Sequence, residues 1–357
     1  MPARAPRFRS ITGRLAPGPA GPRPAAPPGA VIRLAGNESP FGPLPSVSDA
    51  IAVASATVNR YPDATPVTLA HAIAYRYRVP PGHVVAGAGS SGVIQALLAA
   101  AAEPGAEVLY AWRSFEAYPP LVALTGASQV RVPLRAHRHD LAAMAAAITS
   151  ATRVIFICNP NNPTGTVVGH DELARFVAQV PGDCLVVVDE AYAEYVRGPA
   201  ADGLALYREY QNVAVLRTFS KVYGLAGLRV GFMIGHEPVT RAVAAAMMPF
   251  TVSSVAEAAA LAALAAEPEL RERVELVISE RARVCAELLA QGWQVPAADG
   301  NFLWLPLGRD ALDFAAGCQR AGISVRAFDG EGARVSIGGK QANDALLAVA
   351  KAYPRRH

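Results

Sequence analysis

Short apolar runs recur along the chain at 84–86, 107–110, 153–157, 185–188, 213–216 and 230–234. Between and before them lie stretches of helical periodicity near 46–58, 66–77, 92–102, 140–148 and 170–179. Alternation of this kind builds βαβ units, so it predicts an α/β fold with a mainly parallel sheet sandwiched by helices. The run "CLVVVDEAY" (184–192) has no polar alternation, as expected of a strand buried on both faces. It ends at Asp189, and the carboxyl ends of parallel strands are where ligands bind in such sheets.

From about residue 250 the texture changes. A long helical stretch (253–290), broken near Glu267-Pro268, leads to apolar runs at 301–305, 323–326 and 333–337, separated by one helix. A last helix begins near 341. The division expected is a Pro/Ala-rich flexible arm over 1–30, a large domain over 46–249, and a smaller α+β domain made of 31–45 and 250–357. At 357 residues and 52% hydrophobic, the chain can bury cores of that size. The net charge of +4 comes from scattered Arg, without a basic run interleaved with aromatics, so nucleic acid is not expected as a partner. The Ala-rich run 242–266 is interrupted by Pro249, Glu257 and several hydroxyls and does not read as a membrane span. Cys158, Cys184, Cys285 and Cys318 form no CxxC pair and read as reduced core residues of a cytoplasmic protein. His137 and His139 flank Arg138 with no nearby Cys or acidic cluster, so no metal is expected, and they read as part of a solvated loop.

One residue stands against the composition. Of 33 Lys and Arg, only Lys221, Lys340 and Lys351 are lysine, and Lys221 sits within "RTFSKVYGLAGLRVGF". A guanidinium stays protonated, whereas an ε-amine in a dry site can lose its proton and attack a carbonyl. Other loops fall at neighbouring strand ends. "GAGSSG" (87–92) precedes a helix and offers backbone N–H groups to a phosphate. "FICNPNNPTG" sets two amides, Asn161 and Asn162, between turn-forming prolines. With the carboxylate of "DEAY" and with Ser220, Lys221 and Arg229, these parts suit pyridoxal phosphate. That cofactor needs a Lys, a carboxylate for its ring nitrogen, donors for its hydroxyl and a cationic cradle for its phosphate.

Taken together, "NPNNPTG", "DEAY" and "SKVYGLAGLRVG" resemble the fold-type I, pyridoxal-phosphate-dependent aminotransferases of the histidinol-phosphate aminotransferase family. The likeness runs from "RLAGNESPFGPLP" (33–45) to the C-terminus. Within the family, "VNRYPD", "WRSFEAYPP" and "PFTVSS" are similar to the actinobacterial aromatic amino acid (phenylalanine) aminotransferases. The resemblance implies a Schiff base of pyridoxal 5'-phosphate on Lys221, with the amine later moving a proton. It implies that Asp189 pairs with the ring nitrogen, that Asn162 and Tyr192 donate to the ring hydroxyl, and that Phe115 stacks on the ring. Ser90, Ser91, Ser220 and Arg229 would hold the phosphate. Tyr61 would reach the phosphate of a neighbouring subunit, which implies a homodimer with shared sites. Arg334 would clamp the substrate's anionic group, with Asn37 nearby and Arg326 as a second substrate-side arginine.

The activity implied is transfer of an amino group from phenylalanine, tyrosine or tryptophan to a 2-oxo acid, 2-oxoglutarate. The alternative is histidinol-phosphate aminotransferase; a decarboxylase acting on an amino acid phosphate is a more distant same-fold reading. A ligand-sensing regulator would carry a winged-helix domain ahead of this fold, and about thirty Pro-rich residues cannot bury such a core. Two features depart from the family. "GSSG" lacks the acidic residue that commonly follows the Ser, and "PAGPRPAAPPGA" lacks an aromatic, so no arm residue is assigned to the substrate.

Overall fold

Strands that are apolar on both faces need helices on both sides, and the computed structural model, which describes residues 31–354, shows that arrangement. The strands are β1 (Ile32–Arg33), β2 (Val84–Gly87), β3 (Glu107–Trp112), β4 (Ser128–Pro133), β5 (Thr152–Cys158), β6 (Leu185–Asp189), β7 (Val213–Thr218), β8 (Gly231–Ile234), β9 (Phe302–Leu305), β10 (Ile323–Ser324), β11 (Arg326–Phe328) and β12 (Gly332–Ser336). The helices are α1 (Pro45–Ser55), α2 (Val67–Tyr77), α3 (Gly89–Ala101), α4 (Tyr118–Thr125), α5 (Leu141–Ala146), α6 (His170–Val177), α7 (Gly203–Glu209), α8 (Glu237–Ala246), α9 (Ser254–Ala265), α10 (Glu267–Ala290), α11 (Ala311–Arg320) and α12 (Lys340–Ala352). The arm expected over 1–30 lies outside the described residues.

Seven strands form the main sheet in the order β2-β8-β7-β6-β5-β3-β4. All its pairings are parallel except those of β8, which runs antiparallel to β2 and β7. Side chains alternate across it. Val186 and Val188 of β6 enter a core with α2, α6, α7 and α9, while Val187 enters a second core with α3 and α4. A smaller antiparallel sheet, β11-β12-β9, packs against α10, α11 and α12 around a third core.

The sequence reading missed four elements of the main unit: α4, β4, α7 and α8. β4 is an edge strand of mixed polarity (SQVRVP), and α7 is only seven residues long, so neither carries a clear period. The break at Glu267-Pro268 is real: Pro268 fits the first turn of α10 and could not continue α9. α9 is grouped by sequence with the smaller domain, yet its buried face (Ala256, Ala259, Ala260, Ala263) belongs to the main core. The changeover falls inside α10, between Leu270 in the main core and Val274 in the smaller one.

Candidate active site

Because β3, β5, β6 and β7 are parallel, the loops that follow them emerge at one edge of the sheet. β8 runs the other way and so begins at that edge, two residues after Arg229. A cavity of about 720 Å³ opens there, and every residue to which the resemblance gives a cofactor or substrate role lines it except Tyr61. Tyr61 is 86% exposed and its ring lies 5.1 Å from that of Phe250, away from the cavity.

Asp189 forms the floor. It is buried, Tyr118 donates a hydrogen bond to its Oδ2 at 2.7 Å, and Oδ1 has no partner. Burial raises its carboxyl to about 6, with the Tyr118 hydrogen bond pulling the other way. A buried oxygen left open in this manner is costly unless a donor arrives.

Lys221 projects from the turn after β7, and its Nζ donates to the Gly36 carbonyl at 3.2 Å. Burial first, then the neighbouring Arg334 and Arg229 guanidiniums, lower this amine to about 7. The amine therefore reaches its neutral, nucleophilic form several pH units below an ordinary lysine.

The "NPNNPTG" loop divides its amides between two tasks. Asn161 is fully buried and accepts from Ser114 Oγ at 2.8 Å while donating to Thr164 Oγ1 and the Arg113 carbonyl. Asn159 exchanges hydrogen bonds with the Val168 backbone. Both are spent on the loop itself. Asn162 faces the cavity, where its Oδ1 accepts from Arg334 Nη1 at 2.5 Å, which leaves its amide N–H groups directed elsewhere. Tyr192 is buried with its hydroxyl accepting from Asn37 Nδ2 at 3.0 Å, so its own proton is available to a further acceptor. Burial holds that phenol well above its ordinary value, so it stays a donor.

On the opposite side, α3 opens with Gly89, Ser90 and Ser91, and no side chain caps its first turn. Gly89 sits at φ +71°, where a Cβ would fall 2.3 Å from Arg229 Nη2. Glycine is required there for the guanidinium to lie against the helix start. Arg229 itself, at φ +54°, donates to Ser220 Oγ at 3.4 Å. Free N–H groups, two or three hydroxyls and a guanidinium converge on one spot, as an anion site requires.

Arg334, from β12, is buried, and its Nη2 donates to the Ala35 carbonyl while its Nε has no partner. Arg326 also lines the cavity and forms a bidentate pair with Glu116 (Nη2–Oε1 2.6 Å, Nε–Oε2 3.2 Å). Phe115, on the same loop as Glu116, packs edge-on against Tyr118.

An amine lowered to about 7, an open carboxylate, an anion cradle and a buried guanidinium with an unmet Nε in one cavity narrow the choice of family, and comparison with known proteins decides it. The profile of "Aminotransferase class I and II" matches residues 30–350. This chain belongs to that family. The aromatic amino acid aminotransferase of Thermobifida fusca (strain YX) is 58% identical over 99% of this chain and 98% of its own length. The enzyme of the same name from Streptomyces avermitilis is 54% identical over 93% of each. Among solved structures, histidinol-phosphate aminotransferase from Sinorhizobium meliloti in complex with pyridoxal-5'-phosphate superposes with a TM-score of 0.89. It is 28% identical, and the match covers 98% of this chain and 99% of that one.

For this aminotransferase the sequence reading overlooked Tyr118 and Thr218. Tyr118 lies in the quoted "WRSFEAYPP", but an aromatic ahead of two prolines reads as a helix start, with no sign that its hydroxyl reaches a carboxylate. Thr218 Oγ1 donates to Ser220 Oγ at 3.0 Å and accepts from the Ser220 amide, fixing the turn that presents Lys221. The solvated loop expected at His137–His139 holds only in part. His139 is buried with Nε2 unpartnered, and burial lowers it to about 4. Among the described residues no helix is long and apolar enough to cross a membrane.

Proposed function

We propose that this aminotransferase moves the amino group of phenylalanine, tyrosine or tryptophan to 2-oxoglutarate with pyridoxal 5'-phosphate carried on Lys221. The observation that carries the reading is the open Oδ1 of buried Asp189 in one cavity with a lysine amine lowered to about 7. A cofactor with a protonated ring nitrogen fits both groups at once. When bound, it supplies an electron sink for the pair of electrons left when the substrate Cα loses its proton.

The chain's own residues do the rest. Asp189 Oδ1 would receive the ring N–H, which would hold the carboxylate in its charged form. Asn162 and Tyr192 would donate to the ring hydroxyl, Phe115 would pack against the ring, and Ser90, Ser91, Ser220, Arg229 and the first N–H groups of α3 would hold the phosphate. Lys221 Nζ takes the Cα proton and returns it. Arg334 Nε, buried and unpaired, gives the substrate carboxylate a donor, with Asn37 fixing Tyr192 beside it. Tyr61, exposed and outside the cavity, suits a residue that completes the phosphate cradle of a second copy, hence a homodimer. Free thiols at Cys158, Cys184, Cys285 and Cys318 suit a cytoplasmic enzyme.

Relatives at 50–58% identity named aromatic amino acid aminotransferase favour aromatic donors over histidinol phosphate. Borohydride reduction of the yellow holoenzyme should place the label on the peptide containing Lys221, and rates with a panel of donors and 2-oxoglutarate should rank phenylalanine first. Label on Lys340 or Lys351 would refute the lysine assignment. A tenfold or greater preference for histidinol phosphate would refute the substrate.

A further inference from the structure

Two arginines face the cavity from neighbouring strands. Arg326 of β11 and Arg334 of β12 are directly opposed in the antiparallel register, so their side chains leave the same face of the small sheet. Like charges placed so repel, and the Arg334 guanidinium is lowered first by burial and in part by Arg326. A carboxylate is set against Arg326 from the other side of the mouth, that of Glu116, whose side chain is about as buried (24% against 27% exposed). The neighbouring acid, Glu331, is already engaged by Arg113 through Nε at 2.9 and 3.0 Å.

We propose that Glu116 is a specificity-determining residue: by occupying Arg326 it leaves Arg334 as the open cation of the two and selects donors with one negative charge and an apolar side chain. The inference rests on the aminotransferase reading above and deepens it. With the Glu116–Arg326 pair closed, that side of the cavity is electrically neutral and continuous with Phe115, Ala117, Pro120 and Leu121, which form an apolar wall. An aromatic ring gains from that wall and disturbs no ion pair. A second carboxylate or a phosphate must instead displace Glu116 from a bidentate partner, and bidentate pairs with guanidinium are the strong ones. Dianionic ligands, the acceptor 2-oxoglutarate included, therefore bind against this pair. The residue acts by repulsion as much as by attraction, which is how many sites discriminate.

The test uses the holoenzyme and two ligands without an amino or oxo group, so that binding is read without turnover. Glutarate carries two carboxylates; 3-phenylpropionate carries one and a ring. Calorimetric titration of the parent and of Glu116→Gln gives the ratio of their dissociation constants. The ratio should move at least tenfold toward glutarate in Glu116→Gln, and Glu116→Asp, with its shorter reach, should fall between. Adding Arg326→Gln to Glu116→Gln should abolish the gain, because the guanidinium that Glu116 engages is what the dianion uses. A ratio within threefold of the parent, or parallel weakening of both ligands, overturns the proposal. Because neither ligand turns over, that result stays separate from a failure of phenylalanine to serve as donor.

Discussion

Asp189 and Glu190 are consecutive carboxylates at the end of β6, each 3% exposed, and they turn to opposite faces of the sheet. Glu190 is closed on itself. Arg217 donates to its Oε2 from Nε at 3.0 Å and Nη2 at 2.6 Å, and the Gly203 amide donates to Oε1 at 2.7 Å. Asp189 receives one hydroxyl and keeps an oxygen open toward the cavity. The same chemistry one residue apart thus serves two ends. A buried acid with all its acceptors met ties α7 and β7 to β6, whereas one left short of partners is held for a group that the chain does not supply.

The contrast breaks first where the closed pair is opened. Arg217→Met leaves Glu190 buried with only the Gly203 amide, and losing one partner of a buried pair costs on the order of 3–5 kcal/mol. Denaturant unfolding should show that loss, with kcat of the folded fraction within about threefold. Adding Glu190→Gln should recover at least half of it, since the stranded charge is then gone. If Arg217→Met is tolerated within about 1 kcal/mol, the two acids are not different in kind.

Asp189→Asn should do the reverse. It preserves the size of the side chain and an acceptor for Tyr118 but gives up the charge proposed to face the ring nitrogen, a loss worth about 10²–10³ in kcat. Steady-state rates with cofactor retained, checked by visible absorbance, decide it; a variant within threefold of the parent removes the role. Cofactor-free protein sharpens the same point through pH. The folded carboxyl sits at about 6 against an ordinary 3.8, so its contribution to stability is full below about 4 and is lost as pH rises through 6. A tenfold difference in proton affinity between folded and unfolded chains is worth about 1.36 kcal/mol, so the parent should lose about 2 kcal/mol more than Asp189→Asn between pH 4.5 and 7. Lys221, lowered to about 7, acts in a separate window, its contribution falling as pH drops from its ordinary 10.5 toward 7. Parallel curves for parent and variant would show that Asp189 is not strained when empty.

The site was legible where chemistry and strand order coincide. Lys221 stood out because the chain otherwise writes its cations as Arg, and Asp189 because an all-apolar strand ended on it. The main strands could be read from their apolar runs, but β4, half polar at the sheet edge, could not. Nothing in the residues distinguished Asn161, spent inside its loop, from Asn162, which faces the cavity; that depends on which amide the backbone turns toward Arg334. Nor could Arg326 be seen to be neutralised by Glu116, because 210 residues separate partners brought together only by the packing of two sheets.

Tyr118 belongs to that unread class and gives the smallest predicted effect. Its hydroxyl touches Asp189 and works on the reaction only through that carboxylate. Removing the donor in Tyr118→Phe leaves Oδ2 unmet as well, and because the hydrogen bond favours the charged acid, Asp189 should become harder to ionise. A hydrogen bond to a charged group is worth roughly 1.5–3 kcal/mol, part of which the bound ring nitrogen restores, so kcat should fall about five- to tenfold. The apparent pKa of the acid limb of the kcat profile should move up with it. In the Asp189→Asn background the same substitution should cost almost nothing further, since there is no charge left to support. A full five- to tenfold loss in that background would mean that Tyr118 acts by packing against Phe115 and Phe156, and not by tuning its neighbour.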